Sequence, residues 1–69
     1  MNDLELLLKN TNCSEADLIC IAYQALEENN YAEFGIHNRT SLIWFEVFLD
    51  EKGIMTFKHD GKIVFQADY

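Results

Sequence analysis

The chain has 69 residues, 49% hydrophobic and 13% aromatic, and its twelve acidic against five basic side chains give a formal net charge of -7. That hydrophobicity excludes a disordered chain, and the length allows one small globular domain over residues 1–69. A strongly negative surface repels phosphate backbones instead of releasing their counterions, so direct nucleic-acid binding is not expected. Lys52, Lys58 and Lys62 do not change this, because Asp50, Glu51 and Asp60 interleave with them and leave no basic stripe.

The N-terminal stretch "MNDLELLLKN" has no basic leader, and its run of Leu6, Leu7 and Leu8 is too short for a signal-peptide core or a membrane span. A cytoplasmic protein without membrane contact is therefore expected. Asn2 followed by Glu5 suits the capped start of a short first helix that ends near Lys9 and Asn10. Ser14 with Asp17 opens a second, long amphipathic helix, "SEADLICIAYQALEENN", in which Leu18, Ile19, Ala22, Tyr23, Ala25 and Leu26 recur at helical spacing. Asn29 and Asn30 are expected to end it, since Asn tolerates the left-handed conformation.

From Tyr31 the period becomes that of strands. "YAEFGIH" is a first strand weakened by Gly35, "SLIWFEVFL" a long one, "IMTFKH" the next and "KIVFQA" the last. Asp60-Gly61 signals a type I′ hairpin, and "DEKG" fits a type I turn closed by a glycine bulge. The expected fold is α+β: the short helix and the long amphipathic helix on a three- to four-stranded antiparallel meander.

These turns predict a register. Phe57 should face Val64, Thr56 face Phe65 and Met55 face Gln66, while Leu49 faces Met55, Val47 faces Phe57 and Glu46 faces Lys58. One sheet face then holds Phe45, Val47, Leu49, Met55, Phe57 and Val64, an ordinary core. The other holds Leu42, Trp44, Phe48, Ile54, Ile63 and Phe65 around the Glu46 and Lys58 pair, and it is apolar as well. Three covers would suit this second face: the first helix through Leu4, Leu7 and Leu8, a second copy packed sheet on sheet as a homodimer, or a different protein. For that protein Trp44 and Phe48, with Leu42, Ile54 and Phe65, would be the contact residues. A second candidate surface is acidic, formed by Glu27 and Glu28 at the helix C-terminus with Glu33 and Asp17.

Other chemistry is poorly supported. Cys13 and Cys20 would lie about 10 Å apart along a helix axis, too far for a disulfide. With His37 and His59 they lack the short paired spacings of zinc sites, and no glycine-rich phosphate loop occurs, so neither a metal nor a cofactor is expected. Cys13 ahead of a helix invites the idea of an activated thiol, a quiet thiol being the plainer reading. Nothing in the spacing of Cys20, His59 and Asp60 favours a catalytic trio, and an enzyme is not expected. In small size and negative charge the chain resembles, by composition alone, the inhibitors that bacteriophages and mobile elements deploy against host nucleases and CRISPR complexes. That resemblance implies a binding inhibitor in the host cytoplasm that occludes the basic nucleic-acid-binding groove of a protein partner. The alternative is a homodimeric, antitoxin-like regulatory module.

Overall fold

The computed structural model describes residues 3–69, so the predicted Asn2 cap lies outside the described residues. Helix α1 spans Asp3–Leu8 and helix α2 spans Glu15–Ala25. Four strands follow, β1 (Tyr31–Asn38), β2 (Ser41–Leu49), β3 (Ile54–His59) and β4 (Lys62–Asp68), in one antiparallel sheet of order β1-β2-β3-β4. The α+β class, the short first helix and the meander are as the sequence predicts.

The second helix is shorter than its sequence pattern suggests. Ser14 caps it as expected: the Ser14 hydroxyl accepts from the Asp17 amide at 3.2 Å, and the Asp17 carboxylate accepts from the Ser14 amide at 2.9 Å. At the other end α2 stops at Ala25, with Leu26 as C-cap, so 11 residues are helical and Glu27 to Asn30 are not. Two adjacent glutamates would oppose the negative end of the helix dipole, and no basic residue stands in the last turn to offset them. Leu26 is drawn into the core, and Asn30 already serves the sheet by accepting from the Leu49 amide at 2.8 Å. Neither Asn29 nor Asn30 takes a positive φ.

Both helices lie on one face of the sheet. Leu4 and Leu8, one turn apart on α1, join Leu18, Ala22 and Leu26 of α2 in a single buried cluster with Ile43, Phe45, Val47, Met55 and Phe57. The first of the three possible covers for the second face is thereby removed. A helix of six residues is too short to persist in water unaided, so α1 owes its existence to this burial.

The turns behave as their residues predict. Gly53 has φ 80 and donates to the Asp50 carbonyl at 3.2 Å, while Asp60 and Gly61 have φ 53 and 76. The β2–β3 register matches expectation at Glu46 with Lys58, Val47 with Phe57 and Leu49 with Met55. The β3–β4 register does not. After Lys58 opposite Ile63 the ladder shifts, and Phe57 faces Phe65, Thr56 faces Gln66 and Met55 faces Ala67. Val64 is the extra residue of a β-bulge. The physical reason is the core: without the bulge Phe65 would stand on the wet face, whereas with it both Val64 and Phe65 pack against the buried cluster, Phe65 with its ring 5.5 Å from that of Phe57.

Candidate functional site

The outer face of the sheet carries Tyr31, Glu33, Gly35 and His37 of β1, Leu42, Trp44, Glu46 and Phe48 of β2, Ile54, Thr56 and Lys58 of β3, and Ile63, Gln66 and Asp68 of β4. Among the described residues no helix lies over it. Trp44 is 58% exposed, Ile63 57%, Tyr31 47% and Leu42 41%, and Phe48 and Ile54 are partly exposed. Of the predicted aromatic surface, Leu42, Trp44, Phe48 and Ile54 are therefore together on one face. Phe65 is corrected to the core side by the bulge.

The predicted acidic surface is dispersed. Asp17 sits in the first turn of α2, occupied by its capping bond, while Glu27 and Glu28 follow the far end of that helix, about 15 Å away along the axis. Glu33 is on the outer face of β1 and joins a carboxylate outside the predicted set. It stands directly opposite Glu46, a cross-strand like-charge pair that destabilises the ladder. Between the two carboxylates lies the Tyr31 hydroxyl, 2.7 Å from Glu33 Oε1 and 2.9 Å from Glu46 Oε2. It has one proton to donate, so it serves one carboxylate at a time. The bond to Glu33, then burial, then the bond to Glu46 hold the Tyr31 pKa well above its ordinary value.

Lys58 faces Glu46 in the register but does not pair with it. Its Nζ lies over the Phe48 ring, 5.4 Å from the centroid. Among the described residues neither Glu33 nor Glu46 has a cationic partner. At the centre of the face Thr56 is 3% exposed, with Gln66 Nε2 donating to its hydroxyl at 3.1 Å. The buried Thr56 hydroxyl is thus partnered.

Beside Trp44 the face deepens into an open hollow lined by Glu33, Leu42, Trp44, Glu46, His59 and Asp60. It forms because the β2–β3 ladder ends at Glu46 and Lys58, leaving the first half of β2 without a neighbour on that side. His59 closes part of the gap. Its Nδ1 lies 2.9 Å from the Trp44 carbonyl, which can only accept, so Nδ1 carries the proton. An exposed indole, two carboxylates short of a cation and a hollow between them suit a positively charged group presented by another molecule.

Neither Tyr31 nor the opposition of Glu33 and Glu46 is legible in the sequence, because it requires the β1–β2 register. That register follows from a two-residue turn at Arg39-Thr40, with Arg39 at φ 53. "NRTS" contains no glycine, so the usual signal for such a turn is missing.

The remaining chemistry-bearing residues stand elsewhere. Cys13, Asp17, Cys20 and His37 line one hollow between α2 and β1, but among the described residues no three His, Cys, Asp or Glu side chains are placed to hold a metal ion. His59 and Asp60 approach to 3.7 Å at the β3–β4 turn, while Cys20 belongs to the α2 hollow. Both cysteines are free thiols, and burial followed by the nearby Asp17 charge raises the pKa of Cys13. That direction runs against the reading of Cys13 as an activated thiol. Iodoacetamide at mildly alkaline pH is expected to modify exposed Cys20 ahead of Cys13, with mass mapping of the alkylated peptides as the check. Among the described residues no helix is long and apolar enough to cross a membrane. The chain matches no protein-family model, no curated protein and no solved structure.

Proposed function

We propose that this protein acts by binding and without catalysis: its outer sheet face docks on a basic, nucleic-acid-binding surface of another protein and occludes it. The observation that carries the reading is the uncovered face itself, with a largely exposed Trp44 beside two carboxylates that have no cationic partner among the described residues. A guanidinium or ammonium group entering beside Glu33 and Glu46 would relieve their mutual repulsion, and the indole would supply the apolar anchor. The net charge of -7 adds long-range attraction to such a surface and repels the nucleic acid that competes for it. Proteins that handle nucleic acids, nucleases and CRISPR complexes among them, present basic grooves of this kind.

Closure of the same face on a second copy is the less favourable arrangement. It would bring Glu33 and Glu46 of one chain toward those of the other in a desolvated contact.

The test compares proteins captured from a lysate of the encoding organism by the parent and by a Glu33→Gln, Glu46→Gln variant, followed by competition with nucleic acid for each purified partner. The expected result is a nucleic-acid-binding protein that the variant fails to retain, displaced from its nucleic acid at a one-to-one ratio in a salt-sensitive manner. If the parent's partner keeps its nucleic acid at saturating protein, or binds the variant equally well, the reading is wrong.

A further inference from the structure

We propose that a second copy of this chain pairs along the edge of β1, antiparallel about Gly35, and joins the two sheets into one of eight strands. The sheet order leaves two edges, β1 and β4, and they differ. The β4 edge is interrupted by the bulge at Val64, carries Lys62 and Asp68 at its ends, and has the Asp68 carbonyl engaged by the Tyr23 hydroxyl at 3.2 Å. Bulges and terminal charges are the usual means of blunting an edge. By contrast, β1 runs for eight residues in unbroken register with β2 and contains neither a proline nor a bulge. Among the described residues its main chain takes no backbone hydrogen bond from any segment other than β2. An edge this long and regular is a template for another strand.

The sequence of β1 is complementary to itself. A two-fold axis normal to the sheet at Gly35 places Glu33 opposite His37 of the second copy, Phe34 opposite its Ile36 and Gly35 opposite its Gly35. Each pair joins residues of the same face, so both outer faces stay on one side and both helical layers on the other. The Glu33 and His37 pair forms twice, and an imidazole N–H can donate to a carboxylate whether or not the ring is charged.

Two further features suit this register. Gly35 presents no side chain at the axis, and the Leu42 side chain lies over it, with Cγ 2.8 Å from where a Cβ would stand. Alongside the edge, the hollow between α2 and β1 is lined by Cys20, Ile21 and Ile36 as well as polar groups, so pairing would bury apolar surface that the single chain leaves partly exposed. The resulting dimer carries two copies of Trp44 and of the Glu33 and Glu46 pair on one continuous face. A partner with two basic sites would then be held bivalently.

The test is sedimentation equilibrium of the full chain from low micromolar to near-millimolar concentration, with the parent, Glu33→Lys, His37→Glu and the double variant carrying both changes. The parent is expected to approach twice the mass of the 8.0 kDa chain as concentration rises. His37→Glu sets like charges opposite one another at two places and Glu33→Lys removes both carboxylates that accept from the imidazoles, so dimerisation is expected to weaken by about tenfold or more in each. The double variant restores opposite charges in the same register and should recover most of the parental affinity. A parent that stays monomeric throughout overturns the proposal, as does a dimer indifferent to the single changes or not rescued by the double one. Either result leaves the docking role of the outer face standing, because that role does not require the dimer.

Discussion

Phe57→Ala is expected to remove a large part of the protein's folding stability. Phe57 is fully buried at the centre of the single core, facing Val47 and Phe65 along the sheet, with its ring edge-on to Phe34 at 6.4 Å and tilted against Phe65 at 5.5 Å. Truncating a buried phenylalanine costs about 3–5 kcal/mol, because the cavity adds to the lost transfer energy. A domain of this length has a net stability of roughly 3–10 kcal/mol, from about 0.05–0.15 kcal/mol per residue. The loss is thus a large share of the margin, and at its low end the whole of it. Urea titration followed by far-ultraviolet circular dichroism is the check, and an unfolding free energy within about 1 kcal/mol of the parent would contradict it. Trp44 fluorescence is the poorer probe, since the indole is 58% exposed in the folded chain and changes little on unfolding.

Trp44→Ala is expected to do the opposite, leaving the fold intact while abolishing docking. Its ring contributes little to the core, so the stability change should remain within about 1 kcal/mol. Bound to a partner, the same ring would be desolvated at the centre of the contact, beside Glu33, Glu46 and Leu42. An aromatic anchor in that position is worth about 2–4 kcal/mol, roughly a 30- to 700-fold loss of affinity on truncation. The measurement is calorimetric titration of the captured partner with parent and variant, next to a urea melt of each. Equal affinities with equal stabilities would mean that the outer face is not where the partner sits. In the parent, docking should also shift the Trp44 emission to shorter wavelength as water leaves the ring.

The two substitutions affect different properties because the sheet is apolar on both sides and covered on one. That both faces are apolar is evident from "SLIWFEVFL", where no alternation of polar and apolar residues survives. Which face the helices would choose is not. The four leucines of "LELLL" fit either side equally well as a pattern, and only the packing of Leu4 and Leu8 among Leu18, Phe45 and Phe57 decides it. The same distinction separates the two hairpins beside β3. Positive φ at Gly53, Asp60 and Gly61 is a local property of those residues, so the turns and the β2–β3 register follow from sequence. The bulge at Val64 is not local. It exists because Phe65 gains more by joining Phe57 in the core than the ladder loses in one pair.

The candidate site divides in the same way. Leu42, Trp44, Phe48 and Ile54 share a face through the period of two and the β2–β3 turn, and both of these can be read from the chain itself. The acidic half depends on long-range pairing. Glu27, Glu28, Glu33 and Asp17 share one polar side only along a helix that continues through Asn30, and α2 stops at Ala25. Glu33 instead meets Glu46 and Tyr31 across a turn whose residues give no warning of it.

What the sequence by itself determined is therefore the class of fold, the capped start of α2, the turn geometries around β3 and the existence of a second apolar face, because each follows from spacing or from the φ preference of single residues. The tertiary structure alone decided where α1 lies, how far α2 extends, which way Phe65 points and which carboxylates meet. Those outcomes depend on competition between residues distant in the chain for one small core, and local periodicity carries no information about which of them wins.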